Sequence, residues 1–215
     1  MRVELKCWLH AGWSALAAAL LFLTRSPCLI ALGLMFVAFC AYSVFSGLSL
    51  RAMSRWATAM GCSPVDPKAH EWPWENLHLQ GGSRVTQAWS GDIEGLAVTF
   101  GEIRWWGGAF AGAVVDRDNR GTFVVVGLPQ TQPPMATRLP YSFIGDSPRL
   151  EHAALRDAFR IMEIPPFTVR DTVLFTVEPR QSAFEPGEVY RAVRRALLVV
   201  RLLDVGPDRP LAAAG

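Results

Sequence analysis

Chemically versatile side chains are scarce in this sequence. Its lysines are Lys6 and Lys68, and neither stands in a glycine-rich loop, so a Walker-type phosphate cradle is excluded. The cysteines, Cys7, Cys28, Cys40 and Cys62, show no CxxC spacing, and none lies beyond residue 62. A disulfide scaffold is excluded, and a reducing compartment suits the pattern. Gly-x-Ser-x-Gly and His-Glu-x-x-His are both absent. Gly107, Gly108 and Gly112 follow a strand but open no helix, so a dinucleotide fingerprint fails. Residues 1–50 carry only Arg2, Glu4, Lys6 and Arg25 as charges. The rest of the chain balances acids against bases, so the whole chain's net charge is only +2, which argues against nucleic-acid binding.

What the first fifty residues do have is apolar length. Residues 28–50 contain no charge and no proline. As a helix they reach about 34 Å, enough to cross a hydrocarbon core of about 30 Å. Residues 8–23 form a second, shorter apolar run. A signal peptide is disfavoured there because Arg25 and Pro27 occupy the cleavage region. The favoured reading is a transmembrane helical hairpin, turning at residues 24–27. Arg2 and Lys6 on one side, and Arg51 and Arg55 on the other, put both ends and the following domain in the cytoplasm. The second helix is expected to continue to about Met60, with Trp56 near the headgroups.

Residues 63–82 hold three prolines and end in Gly81-Gly82, and they read as a linker. His70, Glu71, Glu75 and His78 invite a metal reading. Pro73 breaks the helix that would align them, so no metal site is assigned. Trp72 and Trp74 are expected to pack on the membrane interface or on the domain.

Residues 83–206 read as an α+β domain with a largely antiparallel sheet and two helices. Strands are expected over 84–89, 95–106 and 122–128, with a turn at Ser90-Gly91-Asp92 and a bulge at Gly101. Residues 107–121 read as an irregular crossing, and residues 129–140 as a loop. The Asp116, Asp118, Asn119 group has Arg117 and Arg120 intruding and reads as a solvated turn, not a calcium loop. A helix starting at Asp146-Ser147-Pro148 carries Leu150, Ala154, Leu155, Ala158, Phe159 and Met162 on one face. His152 falls on its exposed side. Residues 167–177 read as a hairpin turning at Arg170-Asp171. The last helix opens at Glu185-Pro186 and stops at Gly206-Pro207, before a disordered tail, 207–215. Phe123, Val125 and Phe159 are the expected core.

The layout of RVTQAWSGDIEGLAVTF, then TFVVVGLP, a hairpin and the helix GEVYRAVRRALLVV resembles uncharacterised bacterial membrane-anchored proteins, chiefly actinobacterial, over residues 83–204. The resemblance implies a cytoplasmic α+β domain and brings no catalytic, cofactor or metal residues.

The last helix supplies the site candidate. Stepping about 100° per residue places Val189, Ala192, Val193, Ala196, Leu197, Val200 and Leu203 on one face. Arg191, Arg194, Arg195, Leu198, Arg201 and Leu202 share the opposite arc, a surface for membrane or partner contact. The sequence therefore reads as a membrane-anchored interaction or scaffold domain. Its partners would be the bilayer and a protein or a second copy, and no cofactor is implied. Rival readings are an accessory subunit of a larger membrane complex and a membrane-associated enzyme with a cleft on loops 107–121 and 129–148.

Overall fold

The computed structural model describes residues 27–75, 81–107, 120–180 and 184–207. The first apolar run, the hairpin built on it, the Asp116–Asn119 region and residues 208–215 lie outside the described residues. The chain divides into two compact units, Met1–Ala52 and Met53–Gly215.

Helix α1, Pro27–Ala59, begins with proline in its first turn, where no intrahelical N–H is needed. It ends ahead of Gly61, whose φ of 76° suits a residue without a Cβ. In the first unit its large apolar side chains stay uncovered, with Met35 and Tyr42 each 68% exposed. Its last two turns belong to the second unit. Met53 and Ala57 are fully buried, and the Trp56 ring lies 5.5 Å from that of Phe100. Met53, Trp56 and Ala57 stand at i, i+3 and i+4, so they form one stripe. Trp56 is thus half-buried against the sheet.

The second unit is built on an antiparallel sheet of six strands: β1 (Ser63–Val65), β2 (Gly82–Ile93), β3 (Leu96–Trp106), β4 (Arg120–Arg138), β5 (Ser142–Ile144) and β6 (Phe167–Pro179). The strands β1 to β5 neighbour one another in chain order, and β6 pairs along β4. The α+β reading holds, with every described strand pair antiparallel.

Four local expectations change. The β2–β3 turn falls at Glu94-Gly95, not at Ser90-Gly91-Asp92, because both turn residues adopt positive φ (58° and 79°), which a two-residue hairpin demands. Gly91 stays in the strand, and an added Cβ there would come 2.7 Å from the Cys62 sulfur. β3 runs without a bulge at Gly101, which pairs with Ala88; the irregularity lies on β2, at Thr86, opposite the Glu102–Ile103 step. The apolar pattern of β3 changes phase after Phe100 without any bulge. Val98 and Phe100 face one core while Ile103 and Trp105 face the other, so apolar residues change side as the covered side changes. Residues 167–177 form one strand and not a hairpin. Asp171 takes a φ of 54° opposite Gln132, where β4 carries residues 128–131 against Thr172 alone. Pro129, Pro133 and Pro134 supply no N–H, so the ladder lapses there while the chain stays extended through the expected loop.

Both sheet faces are covered. On one, Trp89, Phe100, Val124, Val126 and Leu174 pack against the helices. On the other, Val85, Ile103, Phe123, Phe175 and Val177 surround Trp72 and Trp74. The stretch read as a linker thus contributes strand β1 and two core tryptophans. Trp74 is fully buried, 5.4 Å from Trp72 and 5.1 Å from Phe123. Trp72 is held by two bonds: its backbone N–H donates to Glu75 Oε1 at 3.2 Å, and its indole N–H to the Pro67 carbonyl at 3.1 Å.

A short 3-10 helix, Pro148–Glu151, precedes α2, Ala153–Arg160; the sequence pattern read them as one helix. His152 separates them with an extended ψ of 121° and is exposed. Leu150, Leu155, Ala158 and Phe159 are buried as expected, while Ala154 and Met162 are exposed. Phe123 is also buried, and Val125 is half-buried. Helix α3, Pro186–Leu202, together with its C-cap Leu203, buries all seven residues expected on the inner face, and Val199 besides.

Candidate functional site

The outward arc of α3 is where the sequence places contact residues. Its six members do share one side, but most of their charge is already engaged. Glu94, at the β2–β3 turn, accepts from Arg201 at 2.5 Å and from Arg194 at 3.4 Å. Arg191 pairs with Glu188 one turn earlier at 2.5 Å. Arg195 serves the fold: it pairs with Glu178 of β6 and donates to the carbonyls of Met162 at 2.9 Å and Glu163 at 3.0 Å, just beyond α2. Leu198 and Leu202 are half-buried against the core. Beside this arc Glu94, Leu197, Arg201, Asp204 and Pro207 line an open concavity of about 730 Å³.

The Arg195–Glu178 pair carries a conflict. Burial pushes the Glu178 carboxyl above its ordinary range, and the Arg195 charge offsets this only in part. Its Oε1 is buried without a hydrogen-bond donor.

A second ion pair is more deeply buried. Arg180, just after β6, donates to Glu102 Oε1, and Thr86 Oγ1 donates to Glu102 Oε2 at 2.7 Å. The Arg180 guanidinium lies 5.0 Å from the Phe184 ring, and Phe184 stacks on Trp89 at 6.1 Å. The partners are far apart in sequence, and only the strand register shows that they meet.

His70 packs on Trp72 at 4.6 Å between ring centroids, and Glu75 is taken up by the Trp72 backbone. Among the described residues no group of three or more His, Cys, Asp or Glu gathers to hold a metal ion. His78 and the 107–121 loop's acidic residues lie outside the described residues. Burial raises the Cys62 thiol above its usual range, so it holds its proton more tightly than a free thiol does.

No family model and no curated protein matches the chain. Among solved structures, the chain is similar to the crystal structure of the mycobacterial trehalose monomycolate transport factor A. The identity is 12%, the TM-score is 0.48, and the match covers 74% of this chain and 97% of that one. That likeness brings no site residue to this chain.

Proposed function

We propose that this is an integral membrane protein anchored through α1, whose α+β domain works in the cytoplasm as a non-catalytic interaction module. One observation carries the reading. Between Ala31 and Ala59, α1 is long and apolar enough to cross a bilayer, and Leu32, Leu34, Met35, Phe36, Val37 and Phe39 are all exposed. Leaving such side chains in water instead of burying them forgoes about 1.5–3 kcal/mol each. Six of them exceed the stability of many whole domains, roughly 5–15 kcal/mol. A bilayer removes that cost. Arg51 and Arg55 directly after the apolar run support the cytoplasmic side.

Arg191 and Arg194, exposed on α3, enter the proposal as contact residues for a partner or for anionic lipid. Arg195 is better left out of any variant, because it holds β6 and the end of α2.

The test is a pair of fusions to the C-terminus of the full chain. A cytoplasmic reporter is expected to be active and a periplasmic reporter silent. The reverse pattern would overturn the orientation.

A further inference from the structure

Four arginines stand side by side across one end of the sheet. Arg84 of β2 pairs in register with Arg104 of β3, and Arg104 with Arg120 of β4. The β4–β6 ladder runs one step past Gly121 and Pro179, because the Arg180 N–H donates to the Arg120 carbonyl at 3.0 Å. Residues directly opposite one another point to the same face, so the four side chains leave the sheet together. At about 4.8 Å per strand the row is about 14 Å long.

Stability alone does not favour this row, since like charges directly opposite each other destabilise a sheet. The neighbouring carboxylate neutralises only the buried Arg180 and leaves the outer pair, Arg84 and Arg104, without it. Both oxygens of Glu102 are engaged, one by Arg180 and one by Thr86. The Arg84 and Arg104 side chains are exposed and make no ion pair or hydrogen bond among the described residues. Arg180 is only 7% exposed, and its Nε and one terminal guanidinium nitrogen lack acceptors. Burial, reinforced by the charges of Arg120 and Arg104 and opposed by Glu102, lowers the proton affinity of this guanidinium. Trp106 lies two residues beyond Arg104 on the same face and is 54% exposed. It sits over Gly82, where an added Cβ would come 2.8 Å from the indole ring.

We propose that this row, with Trp106 at its margin, is a docking surface for an acidic segment of a partner protein. The proposal rests on the interaction-module reading and says where the module binds. Exposed Arg84 and Arg104 take carboxylates in paired hydrogen bonds, for which the guanidinium fork is shaped. Trp106 offers a flat apolar surface to the stems of the same segment. Tryptophan and arginine are the residues that most often dominate protein interfaces. A lipid-binding face would instead set leucines among its basic residues, and this row has none.

The experiment uses the full chain in nanodiscs of phosphatidylcholine and a labelled octa-glutamate peptide, read by fluorescence anisotropy at low and high salt. Wild type is expected to bind at low salt. Arg84→Gln/Arg104→Gln should bind about tenfold more weakly or worse. Arg160→Gln/Arg170→Gln, also exposed but away from the row, should bind as wild type does. The row variant should melt at or above the wild-type temperature, since it relieves like-charge pairing. Four results would overturn the proposal: no peptide binding, equal loss in both variants, a lower melting temperature in the row variant, or a row variant that loses only its binding to phosphatidylglycerol vesicles. Alkaline carbonate extraction of the row variant reports anchoring separately, so failure of the docking surface and failure of the membrane reading are distinguishable.

Discussion

At Glu178 two opposing effects meet on one carboxylate. Burial disfavours its charge, and Arg195 favours it; burial wins, so its pKa in the folded protein lies above the ordinary value of 4.5. The folded chain therefore holds this proton more tightly than the unfolded chain. The linked stabilisation is complete below the ordinary value and is lost as pH rises through the raised one. Urea unfolding of the full chain in detergent, repeated across the acidic range, should show this decline. Glu178→Gln should remove that component, since an amide does not titrate. An unchanged pH dependence in the variant would mean that Glu178 is not the group responsible. Gly101 shows a different single-residue constraint. A Cβ there would lie 2.1 Å from the Gln87 carbonyl oxygen, so β2 and β3 can pair this closely only around glycine.

Among the elements, the stretch carrying Trp72 and Trp74 departs furthest from its sequence signature. Trp74 is fully buried between Phe123 and Phe175, with ring centroids 5.1 and 5.7 Å away. Trp74→Ala should cost about 3–5 kcal/mol, as for other large-to-small changes at buried aromatics. Equilibrium unfolding checks this, and a loss under about 1 kcal/mol would show the stretch to be peripheral. The sequence conceals the role because three prolines give the look of a spacer, while cover for a sheet face needs only a few large side chains and no regular element. Helix α3 was legible for the opposite reason: its apolar residues recur at helical spacing, and all seven expected inward residues are buried. β6 is hidden in the sequence because the polar pair Arg170-Asp171 looks like a turn. In the fold, Asp171 absorbs a kink that the prolines of β4 impose across the ladder. The Arg84–Arg104–Arg120–Arg180 row could not be read locally at all. Each arginine is ordinary in its own strand, and only the register between strands lines them up.

For the whole molecule, the boundary of the folding unit decides what can be studied apart from a membrane. The second unit begins at Met53, within α1, and not after residue 82. A fragment of residues 79–215 lacks Met53, Ala57, Cys62, Trp72 and Trp74, all buried in one or other core. It should aggregate or unfold at lower urea than a fragment of residues 53–215. Equal stability of the two would show that these side chains add little. The central claim concerns the other unit, in which exposed apolar side chains of α1 are matched to a bilayer. Alkaline carbonate treatment of membranes carrying the full chain tests it most directly. The account predicts that the protein stays in the pellet and leaves it only with detergent; recovery of the intact protein in the carbonate supernatant would contradict it.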